Sequence, residues 1–270
     1  MPTSQRLDEW PQSFAGNSYR APKVLEAGAV DHSTRVLPSA ERRELDPVGL
    51  YAQELPVPHV QHCHVQADHA ERLTLDSSAG NGLAKNTDGF DLTKNDHITI
   101  TGNKIYNQDD CLAMQSSTST VFSNNLCCGG HGVSIGSLGG NAVDQSSTVQ
   151  GLTVQGNTIQ NSDNGIRIKT IVGLKGLVSN VKYVDNKLQN VKNAIVMHSD
   201  YSKAKGGYTG SPTSAVTIEG VTISGLTGSA TNLYDIVANP KVVSGWTFSG
   251  IKVSASQTGK AVGQTNSVSV

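Results

Sequence analysis

Five segments of the sequence share one five-residue pattern, and this repetition limits the fold more than any other feature of the chain. In each segment a polar residue is followed by a small, an apolar, a variable and a second apolar residue. The segments are residues 88–92, 110–114, 131–135, 164–168 and 193–197. They recur at intervals of 22, 21, 33 and 29 residues, with no long amphipathic helix between them. Such spacing is typical of a parallel β-solenoid, whose coils stack about 4.8 Å apart.

The repeat therefore predicts an all-β protein with coils stacked in register. The main alternative is a β-sandwich, whose strands recur at intervals of about 8–12 residues. The longer intervals of this chain favour the solenoid. Because side chains alternate along a strand, the two apolar positions of the pattern would face the core. The polar first position would form a column along one outer face.

Charge and hydropathy exclude several classes of protein. The chain has 270 residues and a formal charge of −1. A chain with so little net charge has no overall field to attract nucleic acid or an anionic membrane. No apolar run approaches the roughly 18 residues of a membrane span. We therefore expect no nucleic-acid partner and no membrane partner.

The composition changes near residue 72. Seven of the nine prolines and five of the eight histidines lie in residues 1–72, which show no sustained strand or helix period. We expect residues 1–72 to be an irregular N-terminal segment, truncated or mis-joined, and residues 73–270 to form the solenoid. Four histidines near Cys63 fit no standard ligand spacing, so we predict no metal site there. These histidines are His59, His62, His64 and His69.

The polar column gathers ionisable side chains on one face. Its members are Asp88, Asp110, His131, Asn164 and Asn193, with Asp109 beside Asp110. Clustered carboxylates cannot all ionise normally, because like charges raise the pKa of at least one of them. A protonated acid beside an ionised base is what glycoside hydrolysis requires. Arg167 and Lys169, one coil beyond His131, would suit an anionic substrate.

Four motifs on these residues resemble the signature motifs of the polygalacturonases, the pectin-degrading members of glycoside hydrolase family 28. They are NTDGFD (86–91), NQDDC (107–111), GGHGVSIGS (129–137) and GIRIKT (165–170). The resemblance covers about residues 73–250. It implies a right-handed parallel β-helix and a monomer without a cofactor. The implied reaction is hydrolysis of α-1,4-linked galacturonate in polygalacturonate, with inversion at the anomeric carbon. The Phe and Gln of the first two motifs resemble those of endo-acting fungal enzymes.

The resemblance also implies a role for each ionisable residue. Asp109 matches the general acid that protonates the leaving glycosidic oxygen. Asp88 and Asp110 match the pair that activates the attacking water, and His131 matches the histidine that supports the acid. Inverting enzymes usually separate their carboxyl groups by about 6.5–9.5 Å, whereas adjacent coils offer about 4.8 Å. Spacing alone would therefore not predict inversion.

Substrate contacts and a disulfide are implied in the same way. Arg167 and Lys169 match cations that hold substrate carboxylates, and Tyr201 more weakly resembles a substrate-contacting tyrosine. The family has a disulfide at the positions of Cys111 and Cys127. A reduced Cys111, packed as a small apolar residue, is the alternative.

Some family features are not found in the sequence. The resemblance implies a secreted protein, but the first 30 residues contain no apolar stretch of a signal peptide. Residues 1–72 do not resemble the coils that precede the first motif in the family. An inactive solenoid that binds acidic polysaccharide is therefore a second hypothesis. A pectate lyase-like enzyme that uses Ca²⁺ is a third, and the Asp pair with the Gly-His-Gly motif favours hydrolysis over it.

Overall fold

In the computed structural model, which describes residues 69–268, the chain forms a right-handed parallel β-helix. Within residues 69–268 seven coils follow one another along the axis, and parallel strand pairs join each coil to its neighbours. The predicted all-β solenoid is thus confirmed, and the sandwich alternative is wrong. Among the described strands, one short hairpin strand, Gly207–Tyr208, is the exception, since it pairs antiparallel with Tyr201 and Ser202.

The strands form four columns, and the longest of them bend from one column into the next. In chain order the strands are β1 (His69–Glu71), β2 (Thr74–Asp76), β3 (Phe90–Asp96), β4 (Thr99–Thr101), β5 (Lys104–Asn107), β6 (Asp110–Thr118), β7 (Val121–Ser123), β8 (Leu126–Gly129), β9 (Gly132–Leu138), β10 (Thr148–Gln150), β11 (Thr153–Gln155), β12 (Thr158–Gln160), β13 (Asn164–Ile171), β14 (Lys175–Val184), β15 (Lys187–Ser202), β16 (Gly207–Tyr208), β17 (Ala215–Ser224), β18 (Thr227–Val237), β19 (Val243–Ser244), β20 (Thr247–Ser249) and β21 (Lys252–Val262). Within residues 69–268, two 3₁₀ helices, Ser78–Gly80 and Gln145–Ser147, interrupt the coils. Residues 69–268 include no helix of the length and apolarity needed to cross a membrane.

The five-residue pattern marks one column, formed by β3, β6, β9, β13 and β15, which we call the groove column. Its third positions pair in register as Phe90, Leu112, Val133, Ile166 and Ile195. Its fifth positions pair as Leu92, Met114, Ile135, Ile168 and Met197. All ten side chains are buried. Each contributes about 2 kcal/mol by leaving water, so the pattern itself supplies much of the core.

The coils turn sharply at corners where one residue takes a left-handed backbone conformation. Between the columns that begin with β1 and β2, φ lies between +52° and +68° at Arg72, Gly102, Asn124, Gly156 and Asp185. Glycine, asparagine and aspartate tolerate this conformation best. The glycine, asparagine and aspartate residues between the strands therefore mark places where the chain changes direction.

An asparagine ladder fixes these corners from inside. Asn103, Asn125, Asn157 and Asn186 each follow a left-handed residue and are buried. In each rung the backbone N–H and Nδ2 of one asparagine both donate to Oδ1 of the next, at 2.9–3.1 Å. Each Nδ2 also donates to a carbonyl oxygen of the preceding coil. The ladder satisfies buried polar groups that would otherwise destabilise the fold.

A disulfide links Cys111 of β6 to Cys127 of β8, with the two Cα atoms 5.7 Å apart. The pairing implied by the family resemblance is therefore present, and the reduced Cys111 alternative is not. Because Cys111 directly follows Asp110, the bridge ties the turn that carries the aspartate pair to the next coil. Among the described cysteines, Cys128 is unpaired.

The division at residue 72 stays a prediction. Residues 1–68 lie outside the described residues, and with them lie His59, His62, His64 and Cys63. The first described strand, His69–Glu71, pairs with β4 and so already belongs to the stack of coils.

Replacing Asn125 by alanine should destabilise the protein strongly. The change removes the acceptor of two donors of Asn103 and leaves the Ile100 carbonyl without the side-chain donor. We expect the free energy of unfolding in urea to fall by about 3 kcal/mol, since each unsatisfied buried group costs roughly 1–3 kcal/mol. Asn141→Ala, in an exposed loop, is the control and should stay within about 0.5 kcal/mol of the original protein. Equal effects of the two changes would contradict a stabilising ladder.

Candidate active site

A groove with a volume of about 390 Å³ runs along the outer face of the groove column. All seven ionisable or aromatic residues predicted for the site line it: Asp88, Asp109, Asp110, His131, Arg167, Lys169 and Tyr201. They come from five consecutive coils and lie together because those coils stack in register.

The turn between β5 and β6 presents Asp109 and Asp110. The side chain of Asn107 holds this turn, because its Nδ2 donates to the carbonyl oxygens of Thr87, Asp109 and Asp110 at 2.9–3.0 Å. The Asp110 N–H donates to Oδ1 of Asp109 at 2.8 Å. The two carboxyl groups are therefore fixed in direction before any ligand binds.

Asp110 is buried and fully engaged. Its Oδ1 accepts hydrogen bonds from Ser134, at 2.7 Å, and from Arg167. Its Oδ2 accepts from the Lys169 ammonium at 3.0 Å. Burial alone would raise the pKa of Asp110, but Lys169 and Arg167 outweigh it and hold that pKa below the ordinary value. Asp110 is thus the carboxylate that stays ionised.

Asp109 pairs with His131. Oδ1 of Asp109 lies 2.8 Å from Nδ1 of His131, and the His131 N–H donates to the Asp109 carbonyl at 2.9 Å. The hydrogen bond that the Asp109 carboxylate accepts raises the pKa of His131, against the effect of burial. Nε2 of His131 lies 4.0 Å from the exposed carboxylate of Asp163. The imidazole is therefore oriented by a carboxylate and favours its protonated form.

Asp88 is in the opposite electrostatic situation to Asp110. Burial raises its pKa to about 8, and the neighbouring carboxylates of Asp109, Asp91 and Asp110 act in the same direction. In the absence of a ligand Asp88 therefore holds a proton at mildly acidic pH. The groove contains a neutral carboxylic acid and an ionised carboxylate side by side, as the sequence argument requires.

Arg167 and Lys169 contact Asp110 and still face the groove. Arg167 uses Nε for Ser134, at 2.8 Å, and Nη2 for Asp110. A guanidinium has five N–H donors and an ammonium three, so both side chains retain donors for a further anion. The Lys169 ammonium also lies 5.7 Å from the centre of the Tyr201 ring.

Several residues of the site were missed in the sequence. Asp91, Gln115 and Ser137 line the groove, and Ser134 and Asn107 hold the aspartate pair. Asp91 and Ser134 occupy the variable fourth position of the pattern, the position that also holds Arg167. Reading that position across all coils would have found them. Asn107 begins the NQDDC motif, but its role was not visible in the sequence, since an asparagine before a turn is commonly only a turn former.

The three residues Asp109, Asp110 and His131 offer ligand atoms within 4.8 Å of one another, the closeness that a metal site needs. Both oxygens of Asp110 already accept from cationic groups, Arg167 and Lys169. A further cation would compete with these two charges, so the donor set does not fit a metal ion well.

The β-helix and its groove of paired carboxylates define a protein built like a carbohydrate-cleaving hydrolase. The model of the glycosyl hydrolases family 28 matches residues 34–269, and the chain belongs to this family. The sequence is 38% identical over 251 residues to endopolygalacturonase B of Aspergillus niger, covering 90% of this chain and 64% of that protein. It is 42% identical over 211 residues to a polygalacturonase of Cochliobolus carbonum, covering 76% and 56%. The chain thus spans less than two thirds of the length of these relatives.

A solved structure shares the architecture. The crystal structure of endo-xylogalacturonan hydrolase from Aspergillus tubingensis superposes with a TM-score of 0.62 at 25% sequence identity. The match covers 74% of this chain and 56% of the other. The right-handed β-helix implied by the sequence motifs is therefore confirmed.

The raised pKa of Asp88 makes stability depend on pH. The folded protein keeps a proton on Asp88 up to about pH 8, whereas the unfolded chain releases it near pH 3.8. Folding stability should therefore fall as the pH rises through this window, by up to about 1.4 kcal/mol per pH unit. His131, whose pKa is also raised, acts in the same direction at the upper end.

Asp88→Asn should flatten this dependence, because asparagine keeps the neutral form at every pH. Melting temperatures between pH 5 and pH 8 check it: the original protein should lose more stability than the variant across that range. The matched control is Asp185→Asn, the same change at an exposed corner, which should leave the slope unaltered. Parallel slopes in all three proteins would show that Asp88 is ionised in the folded state.

Proposed function

We propose that this chain hydrolyses α-1,4-galacturonosidic bonds of polygalacturonate, cutting within the polymer. The observation that carries the proposal is the groove in which a proton-holding Asp88, the Asp109–His131 pair and the ionised Asp110 lie within reach of two cations. The curated relatives that match are named as endopolygalacturonases and polygalacturonase. Membership of the family supports the same reaction and secretion of the protein.

We assign the acid role to Asp109 and the activation of water to Asp88 and Asp110. Asp110, held ionised by Lys169 and Arg167, is suited to accept a proton from water. The raised pKa of Asp88 supports the view that these coupled carboxyls retain one proton at acidic pH. In our assignment Asp109 delivers the proton to the leaving oxygen, and His131 orients the Asp109 carboxyl.

The stereochemical outcome is part of the proposal. Carboxyl oxygens of Asp109 and Asp110 lie within 4.8 Å of one another, closer than the roughly 6.5–9.5 Å usual for inverting enzymes. Inversion is therefore supported by the family motifs and not by this distance. Proton NMR of the first product, recorded before mutarotation, distinguishes the two outcomes: inversion gives the β anomer from an α linkage.

Asp109→Asn should abolish most of the activity. We expect the release of reducing ends from polygalacturonate to fall at least about 100-fold, the usual contribution of general acid catalysis. The original enzyme should have a bell-shaped, acidic pH profile, because it needs one protonated and one ionised carboxyl group. Asp185→Asn is the matched control and should retain full activity. Equal release by the original protein and Asp109→Asn would defeat the assignment.

Arg167→Ala should weaken the binding of anionic substrate specifically. In the Asp109→Asn background, calorimetry should show at least about a tenfold weaker affinity for a galacturonate oligomer, as expected for loss of a charge-assisted contact. Binding of the fully methyl-esterified oligomer, which lacks the carboxylates, should change little. Binding without turnover by the original protein would favour the second hypothesis, an inactive solenoid that binds acidic polysaccharide. An equal loss for both oligomers would remove Arg167 from carboxylate recognition.

A further inference from the structure

A small hairpin stands at the Lys169 end of the groove. It is the only place in residues 69–268 where two named strands pair antiparallel, with Tyr201 opposite Tyr208 and Ser202 opposite Gly207. Tyr201 and Gly206 of this hairpin line the groove. The hairpin leaves the β-helix, so the backbone ladder of the coils does not hold its tip.

The hairpin is held instead by His198. The imidazole stacks on the ring of Tyr208, with ring centres 3.6 Å apart and an angle of 14° between the planes. The Tyr201 ring meets the Tyr208 ring edge to face at 6.0 Å. His198 is buried, whereas Tyr208 is partly exposed. One face of the Tyr208 ring, on the hairpin, thus stacks on the His198 ring, which belongs to the β-helix.

Two carboxylates flank the His198 ring. Nδ1 lies 2.7 Å from Oδ1 of the fully buried Asp200, and Nε2 lies 3.2 Å from Oδ1 of Asp235 on the next coil. The other oxygen of Asp200 accepts from the Gly210 N–H at 2.6 Å. The neighbouring His198 imidazole holds the pKa of Asp235 below its ordinary value. Asp200 therefore holds both the His198 imidazole and, through Gly210, the returning end of the hairpin.

The cluster of His198, Asp200 and Asp235 lies next to the two cations of the groove. His198 pairs in register with Lys169 on the preceding coil. Burial raises the pKa of the Tyr208 hydroxyl to about 12. The Arg167 guanidinium opposes this shift, because Tyr208 of the hairpin lies close to Arg167. The Lys169 ammonium in turn faces the Tyr201 ring.

We propose that His198 is a positioning residue: with Asp200 and Asp235 it clamps the 201–208 hairpin through Tyr208, and thereby sets Tyr201 against the substrate chain at the Lys169 end. The inference about the substrate rests on the proposed function, whereas the clamp itself does not. His198 does not touch the reacting bond. It acts on affinity for the polymer and leaves the proton transfers to the aspartates.

The clamp is tested first without substrate. Lys203 and Lys205 at the tip are exposed, so trypsin cleavage after them, followed by mass spectrometry, reports opening of the hairpin. His198→Asn keeps a donor toward Asp200 but has no ring to stack, and cleavage should become at least about fivefold faster. Tyr208→Leu removes the stack from the exposed side and should act alike, without disturbing the core. His97→Ala, which breaks an exposed His–Asp pair elsewhere, is the matched control and should not change the rate.

The second arm measures hydrolysis of polygalacturonate. Both His198→Asn and Tyr208→Leu should raise KM about fivefold and keep kcat within about twofold, the signature of lost binding common to ground and transition states. Unchanged cleavage by trypsin in both variants overturns the clamp. Faster cleavage with unchanged KM overturns the role toward the substrate. If the original protein does not hydrolyse polygalacturonate, the proposed function fails, and the trypsin arm still decides the clamp.

Discussion

The parallel pairing of successive coils in a single register is the constraint on which the rest of this molecule depends. A slip of one residue would turn every inward side chain of a strand outward. The stacked apolar positions of the groove column, such as Leu112 on Val133 and Met114 on Ile135, make such a slip costly. The asparagine ladder adds a second lock, because each rung needs its neighbour at the same place in the next coil. Side chains at equivalent positions are consequently brought to one face, whatever their chemistry.

That enforced proximity creates an electrostatic problem, which the groove solves in two different ways. Carboxylates on neighbouring coils repel each other across a short distance. Asp110 is neutralised by Arg167 and Lys169, so it stays charged although it is buried. Asp88 has no comparable contact with a cation among the described ion pairs, and it keeps its proton instead. The same stacking therefore generates the base and the acid form of one type of side chain, and the placement of two cations decides which is which.

The sequence predicted the register correctly, because alternation of apolar residues is local and pairing between coils follows from it. The five-residue pattern aligned four apolar side chains from their neighbours in the chain. The structure pairs them in the same order: Phe90, Leu112, Val133 and Ile166. The partners of polar side chains could not be found in this way. Arg167 and Lys169 bind a carboxylate 57 and 59 residues away, and only the packed structure decides between Asp110 and a substrate as their partner. The ladder asparagines look like ordinary turn residues until the coils are stacked. The hairpin around Tyr208 lies outside the repeated pattern, so the pattern could not predict it.

Under the proposed function, the distribution of charge also links the proton on Asp88 to recognition of an anionic polymer. Asp88 and His131 both have raised pKa values, so both are protonated more readily than usual as the pH falls. Each proton lost from either group makes the groove more negative by one charge. Because Asp110 already occupies donors of Arg167 and Lys169, no large excess of positive charge remains to offset that change. Attraction for a polyanion should therefore weaken over the same pH range in which the acid form disappears. Under the proposed function, binding of the polyanion and catalysis would depend on protons in the same groove, and acidic conditions would favour both for one physical reason.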